Sequence, residues 1–478
     1  MKLESTSFAL VALALAAPAA AAAPLRIAKA GCVPAQKCFK NPHQVARGGK
    51  LVLRGPGLQR GQLVVFTRAG GRKITSKLRK SHLGLVVVVP PAAKSGRIRV
   101  IDRFGRRSNP FGPIFVVKPA PPAAPQATPS GTVFDGSGMW IWYLNKSDGG
   151  NLDAIAARAN ALGIRTVFIK SGDGAAYWDQ FSPLVVGGLK QRGLNVCAWQ
   201  FVYGKVPEDE AAVGAQAVQT GAQCLVIDAE TSYEGRYAAA QTYMAKLRSA
   251  IAPGYPLALT SFPYVDYHPG LPFSVFLGPG GAGYNLPQVY WKDIGDSVDV
   301  AMQHTYVHNR VYGKPVFPLG QSYSDPAPSE MQRFHQLAAV YGSSGVSWWS
   351  WQASTDRGWK AIGAQIAPLA GYTPSQDLPL LSKGKKGDEV LWMQEHLASA
   401  EPQTPTSGVF DAATDTALRD FQTQRGLAVN GTTDGPTWQA LLALQPVAVT
   451  WTSNDKPAFA ARALLARHKR EIPVLGRH

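Results

Sequence analysis

The spacing of hydrophobic and polar positions changes along the chain, and it divides the sequence into three folded parts. In the first part, residues 25–118, short apolar runs are separated by Gly and Pro, which is typical of a small antiparallel sandwich. The predicted strands there are 50–53, 62–67, 83–89, 97–102 and 114–117. This part is therefore expected to be a small N-terminal β-sandwich.

In the second part, residues 132–370, short apolar runs alternate with segments of helical periodicity. Leu152, Ile155, Ala156 and Ala159, for example, share one face of a predicted helix. The predicted strands are 139–143, 166–170, 196–202, 224–228, 257–260, 288–291, 316–319 and 346–351. Eight strands with intervening helices predict a central (β/α)8 barrel of the TIM type.

The third part, residues 378–443, contains the stretches LSKGKKGDEVLWMQEHL and SGVFDAATDTALRDFQTQRGLAVNGTTDGPTWQALL. A first helix is predicted to begin near Asp388, Asp411 to cap a second, and a third to lie around 437–442. These stretches resemble the peptidoglycan-binding type 1 domain. The resemblance implies a small three-helix domain that holds peptidoglycan in a multidomain protein, followed by a basic tail over 444–478.

The first part also carries a resemblance. GGKLVLRGPGL, LGLVVVVPPAAKSGRIRVID and GRRSNPFGPIFVV follow one another in the order found in IPT/TIG domains, which they resemble. That resemblance implies an immunoglobulin-like β-sandwich that serves as a spacer or binding module without catalysis. Residues 119–131, PAPPAAPQATPSG, predict a stiff, extended Pro/Ala linker between the first and second parts.

The N-terminus predicts export. Lys2 precedes an apolar run over 8–17 and a small-residue stretch over 18–23, which is typical of a signal peptide (residues 1–23) cleaved near Ala22 or Ala23. No later segment reaches about 18 uninterrupted apolar residues, so no transmembrane helix is expected. The sequence therefore predicts a secreted, extracellular or cell-wall-associated protein.

The four cysteines suit an exported protein. Cys32 and Cys38 are close enough for a small disulfide loop. Cys197 and Cys224 lie near the starts of two consecutive predicted strands, where either a cross-strand disulfide or two buried thiols fits the pattern. Since no His or Cys stands near either pair at ligand spacing, no zinc or other metal site is expected, and no cofactor is indicated.

Positive charge is concentrated in the first part. Residues 25–118 contain 21 Lys and Arg against one acid, Asp102, whereas the whole chain has a net charge of +18. Such a segment would indicate nucleic acid in a cytosolic protein. After export, an anionic wall polymer or lipid headgroup is the favoured partner and nucleic acid is not expected. A basic surface that only maintains solubility is the alternative.

The fourth predicted strand ends abruptly in two acids, Asp228 and Glu230. Residues two apart on a strand point the same way, so both carboxyl groups are expected at the carboxyl-end mouth of the barrel, where such barrels hold their sites. Paired carboxyl groups suit glycoside hydrolysis. This strand resembles the catalytic strand of family 25 lysozymes and, more distantly, of family 18 chitinases. The resemblance implies that Glu230 is the general acid and that Asp228 orients or stabilises the 2-acetamido group of the sugar.

Aromatic and amide side chains at other predicted strand ends are candidates for sugar binding, because rings stack on sugars and amides bond to hydroxyl groups. The candidates are Gln200, Tyr203, Tyr264, Trp291, Gln321, Tyr323, Trp351 and Gln352. Trp349 and Trp351 are expected to share a face, and Trp351 is preferred to Trp348. His304, in a predicted helix over 298–306, is expected to be a structural histidine.

One departure from the lysozymes concerns the first strand, where that family has a further aspartate and MWIWYLN (139–145) has none. Asp135 is the nearest replacement. Two hypotheses follow. The first is a secreted glycoside hydrolase that acts on peptidoglycan or a related N-acetylated polysaccharide. The alternative is a non-catalytic wall-binding or structural protein with an inactive barrel.

Overall fold

The structure, a computed structural model, describes residues 24–33, 44–46, 48–81, 84–117 and 131–452, together with residues 455, 457 and 459. The expected signal peptide, Cys38, nearly all of the expected linker and most of the basic tail lie outside the described residues. The chain divides into two compact units, Met1–Pro121 and Pro122–His478.

The first unit contains small, largely antiparallel sheets. Its strands are β1 Lys29–Val33, β2 Gln44–Ala46, β3 Lys50–Arg54, β4 Leu63–Arg68, β5 Lys73–Lys77, β6 Arg79–Ser81, β7 Gly84–Val88, β8 Ala93–Ile101 and β9 Phe111–Val117. One sheet has the order β1-β3-β7-β6 and the other β2-β9-β8-β4-β5, in which only β2 and β9 are parallel. The five predicted strands overlap β3, β4, β7, β8 and β9.

Apolar side chains from both sheets meet in one buried cluster, which includes Leu51, Val64, Val87 and Ile98. The strands that the sequence did not predict include KITSK (β5) and RKS (β6), whose many polar side chains hide the apolar alternation. Hydrogen bonding to a neighbouring strand, and not burial of their own side chains, therefore makes these two segments strands.

The second unit is built on a parallel sheet. Its strands are β10 Gly136–Ile141, β11 Ile164–Asp173, β12 Ala176–Tyr177, β13 Asn195–Val202, β14 Leu225–Ala229, β15 Leu257–Thr260, β16 Tyr284–Asn285, β17 Gln288–Val289, β18 Leu319–Gln321 and β19 Gly345–Trp349. The order is β16-β15-β14-β13-β11-β10-β19-β18-β17, and only the short β12 pairs antiparallel, with β11.

The sheet curves back on itself in a TIM-like arrangement. The two ends of the strand order, β16 and β17, are separated by only two residues in sequence. Across this junction the N–H of Leu286 donates to the carbonyl of Leu259 at 2.7 Å, and the N–H of Gln288 donates to the carbonyl of Ser261 at 2.9 Å. The predicted parallel, TIM-like core of this unit is therefore confirmed.

Helices cover the outer face of this sheet. They are α1 Leu152–Ala161, α2 Pro183–Gln191, α3 Pro207–Gln219, α4 Tyr237–Ala250, α5 Phe273–Phe276, α6 Trp291–Ile294, α7 Val298–Asn309, α8 Pro328–Val340 and α9 Asp356–Ile362. Alternate strand residues serve the two faces: Leu225 and Ile227 pack with the helices, whereas Val226 belongs to a separate interior cluster. A disulfide joins Cys197 of β13 to Cys224, the residue before β14. Of the two alternatives that the sequence left open, a disulfide or two buried thiols, the structure has the disulfide.

Three further helices follow, α10 Asp388–Ala398, α11 Ala412–Arg425 and α12 Gly435–Leu442. As predicted, the first begins at Asp388, and the Asp411 side chain caps the second by accepting the N–H of Thr414 at 2.8 Å. Trp438 of α12 is fully buried. Every residue of α10 is buried, so this helix is enclosed on all sides. Among the described residues, no helix combines the length and apolar character that crossing a membrane requires.

Candidate active site

Asp228 is the fourth residue of β14 and Glu230 directly follows the strand. Val226 and Cys224, two and four residues before Asp228, lie in the interior cluster. By the alternation of a strand, Asp228 therefore faces the interior, at the carboxyl end of the sheet, as the sequence predicted. Asp228 is fully buried and Glu230 keeps 2% of its surface exposed.

One amide group holds the two carboxyl groups. The Nε2 of Gln288 donates to Asp228 Oδ1 at 3.1 Å and to Glu230 Oε1 at 3.0 Å. Gln288 was not among the predicted site residues, because the predicted strand 288–291 begins there. In the structure this strand, β17, ends at Val289, so Gln288 lies near its carboxyl end. A sequence prediction that ended the strand there would have included Gln288 among the site residues.

Burial raises the pKa of both carboxyl groups. For Asp228 burial is the largest cause and the adjacent Glu230 charge adds to it, while Lys170 acts in the opposite direction. For Glu230 burial raises the pKa to about 7, against the hydrogen bonds from Gln288 and Asp228 and the charge of Lys170, which lower it. The pair therefore retains at least one proton near neutral pH, which is what a general acid requires.

The cation that lowers the pKa of both carboxyl groups is itself engaged elsewhere. Lys170, buried on β11, donates from Nζ to Asp173 Oδ2 at 2.6 Å, and the hydroxyl of Tyr203 donates to Asp173 Oδ1 at 2.7 Å. Within the described ranges, neither Asp228 nor Glu230 forms an ion pair with Lys or Arg. The positive charge thus acts on the two carboxyl groups through space and does not neutralise either by contact.

Aromatic rings line the interior above the sheet. Trp199 lies 5.6 Å from Trp140 and 5.3 Å from Trp349 between ring centroids, and Trp142 lies 5.7 Å from Trp349. The Nζ of Lys170 stands 5.0 Å from the centroid of the Trp142 ring. The indole N–H of Trp142 is buried without a hydrogen-bond partner among the described residues.

A groove of about 540 Å³ lies beside this aromatic lining, and its walls include Tyr143, Asn145, Trp178 and Gln180. Trp178 connects the groove to the site, because the Nζ of Lys170 is 4.5 Å from the centroid of its ring. The groove therefore offers aromatic faces and amide groups near Lys170 and the aromatic lining.

Three of the predicted sugar-binding residues lie near the interior. The Tyr203 hydroxyl donates to Asp173, and Tyr323 donates to Asp293 through a short hydrogen bond. Gln321, fully buried at the end of β18, accepts the N–H of Lys292 at 3.1 Å. A fourth, Gln352, reaches the start of the aromatic lining, since its Oε1 accepts the N–H of Trp142 at 3.4 Å.

Gln200 and Trp291 lie on the helix side instead. Gln200 is fully buried, donates to the carbonyl of Glu210 at 2.7 Å and accepts the hydroxyl of Tyr243 at 3.1 Å. Trp291 is the first residue of α6 and stacks with Phe334 at 5.4 Å. Gln200 is on the face opposite to Trp199, and Trp291 lies beyond the strand end, so neither points into the interior.

Trp351 and Tyr264 also lie outside the interior cluster. The expectation that Trp351 shares a face with Trp349 is wrong, because β19 ends at Trp349 and the chain then turns. Trp351 packs against Trp359 at 5.0 Å and donates to Asp148 at 3.2 Å. Tyr264 stacks on His304 at 3.9 Å.

Asp135 does not replace the first-strand aspartate of the lysozymes. It precedes β10, at the amino end of the strand, whereas Glu230 follows the carboxyl end of β14. Its Oδ2 accepts the N–H of Thr132 at 2.7 Å and of Gly131 at 3.0 Å, and Ser344 donates to its other oxygen. Asp135 therefore holds the chain at the entry to the sheet.

Comparison with protein families identifies one domain. Residues 386–441 match the family described as "Putative peptidoglycan binding domain", within the range that the sequence predicted. The C-terminal helices are thus a peptidoglycan-binding domain, which supports an association with the cell wall. A comparison of the chain with proteins of curated function finds no match.

Several solved structures are similar in part. The endo-β-1,4-mannanase from Thermotoga petrophila shares 13% identity at a TM-score of 0.36, covering 46% of this chain and 68% of its own. A class V chitinase from Pseudomonas fluorescens Pf-5 shares 12% identity at a TM-score of 0.38, with 48% and 98% covered. The spore cortex-lytic enzyme SleL from Bacillus cereus shares 11% identity at a TM-score of 0.36, with 54% and 76% covered. These values are too low to bear on activity.

Proposed function

We propose that this protein is a secreted, cell-wall-associated glycoside hydrolase that acts on peptidoglycan or a related N-acetylated polysaccharide. The observation that carries the proposal is the pair Asp228 and Glu230, which share the amide of Gln288 at the carboxyl end of β14. Two carboxyl groups that retain a proton at neutral pH supply the acid that cleavage of a glycosidic bond needs. The peptidoglycan-binding domain at residues 386–441 supports this choice of polymer.

In the proposed reaction Glu230 protonates the glycosidic oxygen as the bond to the anomeric carbon breaks. Asp228 orients the 2-acetamido group, whose carbonyl oxygen attacks that carbon from within the sugar. Water then attacks the same carbon, the bond to the acetamido oxygen breaks, a reducing end forms, and Glu230 takes back a proton. Gln288 keeps the two carboxyl groups in register. The residues proposed to contact sugar are Tyr203, Gln321, Tyr323 and Gln352, together with Trp142 and Trp178.

The proposal extends to the remaining architecture. The TIM-like sheet is proposed to be a complete (β/α)8 barrel of the glycoside hydrolase type, which the hydrogen bonds across the β16–β17 junction support. The two sheets of the first unit share one apolar cluster, which supports an immunoglobulin-like IPT/TIG sandwich. Its basic side chains are proposed to bind anionic wall polymers.

One observation favours the second candidate function, a non-catalytic wall-binding protein with an inactive barrel. The two carboxyl groups were expected at the mouth of the barrel, yet Asp228 is fully buried and Glu230 is 2% exposed. A glycan can be cleaved only if its glycosidic oxygen reaches Glu230. The enzymatic proposal therefore requires that Glu230 becomes accessible from the side of the groove when the glycan binds.

The deciding experiment compares wild-type protein with Glu230→Gln and with Glu234→Gln on purified peptidoglycan sacculi. Glu234 is a matched control, because it lies four residues away and contacts His268 instead of the site. We expect wild-type protein and Glu234→Gln to release reducing ends, and Glu230→Gln to be slower by about 10²- to 10⁴-fold. If none of the three releases sugar while all pellet with sacculi, the protein binds the wall without cutting it.

A further inference from the structure

A second group of titratable side chains lies apart from the carboxyl pair. Asp266 is in a short turn, Val265–Tyr267, that follows β15, and His304 and His308 are one helical turn apart on α7. Their potential ligand atoms all lie within 4.8 Å of one another. Residues four apart on a helix share a face, so both imidazole rings point towards the same aspartate.

The two rings present the same nitrogen to one oxygen. The Nε2 of His304 is 2.7 Å from Asp266 Oδ1, and the Nε2 of His308 is 3.8 Å from that oxygen. The rings stack on each other at 4.6 Å between centroids, and Tyr264 stacks on the outer face of His304 at 3.9 Å. The stacking fixes the ring planes, and the point between the three ligand atoms is where a small cation fits.

A fourth residue orients the second ring. The Nδ1 of His308 is 2.7 Å from Glu389 Oε1, and the Glu389 side chain is almost completely buried. Donation from Nδ1 to this carboxylate leaves the Nε2 of His308 as a lone-pair donor that faces Asp266. A carboxylate behind a ligating histidine is the usual partner of protein metal ligands, because it fixes the tautomer and makes the imidazole more basic.

We propose that Asp266, His304 and His308 bind one Zn²⁺ ion, with Glu389 as the positioning residue behind His308. Two imidazole nitrogens and one carboxylate oxygen are a donor set that zinc accepts, with a fourth position open to water. Zinc bonds of about 2.0–2.2 Å in a tetrahedron separate ligand atoms by roughly 3.3 Å. The observed separations of 2.7 and 3.8 Å from Asp266 Oδ1 bracket that value, and the ligand atoms of His304 and His308 lie within 4.8 Å of each other.

The electrostatics of the surroundings favour a cation on balance. Asp266 and Glu389 supply two negative charges to the site. Lys385 opposes them, since its charge acts on His308. The side chains of His304, Asp266 and His308 are 24%, 31% and 16% exposed, so an ion can enter from solvent. Asp266 pairs with His304 at 2.7 Å, and His308 lies 3.8 Å from the same oxygen.

This site connects two parts of the second unit. Asp266 and the two histidines belong to the sheet-and-helix core, whereas Glu389 lies in the first turn of α10 in the peptidoglycan-binding domain. The ion is therefore expected to strengthen the attachment of that domain. Its binding does not depend on hydrolysis, because Glu230 belongs to a different cluster.

The test uses the full-length protein without an affinity tag, stripped with a chelator and titrated with ZnCl₂ by calorimetry. We expect one Zn²⁺ per chain, and a Co²⁺ derivative with visible absorption bands of a four-coordinate site. His304→Gln and His308→Gln should weaken Zn²⁺ binding by at least 100-fold, and Glu389→Gln by about 10-fold or more. His335→Gln is the control, because His335 lies on another helix, α8, outside this cluster, and the change should leave binding unchanged.

The results of this titration distinguish loss of the metal site from loss of folding and from loss of hydrolysis. Each variant is first checked for a wild-type melting curve without metal, so that lost binding is not lost folding. Absence of Zn²⁺ binding by wild-type protein, or equal binding by a folded His308→Gln variant, overturns the site. Neither result bears on the hydrolase, since sugar release from sacculi is measured separately with Glu230→Gln.

Discussion

The amide of Gln288 donates to Glu230 Oε1 at 3.0 Å and, with the same nitrogen, to Asp228 Oδ1 at 3.1 Å. A single neutral side chain thus stabilises the ionised forms of two buried carboxyl groups. Since burial raises the pKa of both groups and Gln288 lowers that of Glu230, the proton balance of the site depends on this residue.

Replacing Gln288 by Leu should therefore raise the pKa of Glu230 further, because the variant keeps the burial and loses the hydrogen bond. Deprotonation removes the general acid, so activity falls as the pH rises through this pKa. The alkaline limb of the pH–rate profile on sacculi should move to higher pH in Gln288→Leu. Gln200→Leu, which removes a buried amide on the helix side, should leave the limb in place; an unmoved limb in Gln288→Leu would contradict the proposed coupling.

The raised pKa of Glu230 also predicts how stability varies with pH. The folded-state pKa of about 7 exceeds the ordinary value of 4.5, so the native state binds this proton more tightly than the unfolded chain. The contribution of Glu230 is fully present below about pH 4.5 and is lost as the pH rises through about 7. By pH 8 the loss is on the order of 3 kcal/mol.

Glu230→Gln has no proton to lose at this position, so it isolates the effect. Between pH 5 and pH 8, the free energy of unfolding of the wild-type protein, measured in urea, should fall relative to that of the variant. Asp228 is the exception among the other titrating groups, because the Glu230 charge raises its pKa in the wild-type protein alone; groups outside this pair affect both proteins alike. A difference between the two proteins that stays constant over this range would show that burial does not perturb Glu230.

The alternation of residues on a strand was enough to predict the orientation of Asp228, because the apolar run before it lies wholly within β14. The same rule failed at Trp351, where the strand ends two residues earlier, and at Trp291, where a helix has already begun. Alternation is informative only within a strand, and side chains beyond its end follow the turn. Local pattern therefore predicts which face a strand residue occupies better than where the strand stops.

The sequence pattern did not predict contacts between residues that are far apart in the chain. Gln288 meets Glu230 across 58 residues, and Tyr237 meets Asp388 across 151. Each contact depends on the register of the whole sheet or on the packing of one helix against others. His304 illustrates the same limit, because the partner of its ring, Asp266, lies in a turn 38 residues earlier.

The aromatic lining makes a prediction about glycan affinity. Trp142 faces Lys170 and offers an unpaired indole N–H, whereas Trp351 packs against Trp359 on the helix side. In a Glu230→Gln background that prevents turnover, Trp142→Ala should weaken binding of a soluble N-acetylglucosamine oligomer by about fivefold, the effect of losing roughly 1 kcal/mol.

Trp351→Phe in the same background should leave that affinity unchanged. Its expected cost is about 1 kcal/mol of stability, because the hydrogen bond to Asp148 is lost. Calorimetric titration and urea unfolding of both variants check the pair of predictions. Equal affinities of the Glu230→Gln protein and of both variants made in it would mean that the sugar does not bind at Trp142. Weaker binding by the Trp351→Phe variant would mean that Trp351, and not Trp142, contacts the sugar.

The buried carboxyl group of Asp388 tests whether the peptidoglycan-binding domain is fixed or merely tethered. Its Oδ1 accepts the hydroxyl groups of Tyr237 and Ser274 at 2.7 and 2.8 Å, and its Oδ2 accepts the hydroxyl of Tyr312 at 2.7 Å and the N–H of Ser274 at 2.8 Å. Burial raises the pKa of Asp388 to about 6, although these four donors lower it. Asp388→Ala leaves all four donors without this acceptor.

Asp388→Ala should therefore reduce the free energy of unfolding by about 3 kcal/mol or more, and speed proteolytic release of the C-terminal helices. Asp415→Ala is the matched control, since Asp415 forms an exposed ion pair with Arg419 one helical turn away and should cost less than about 0.5 kcal/mol. A domain on a free tether would tolerate both changes without altering the unfolding of the TIM-like core. If Asp388→Ala leaves that transition unmoved, the domain is an independent anchor, and fixed presentation of the wall polymer to Glu230 has to be abandoned.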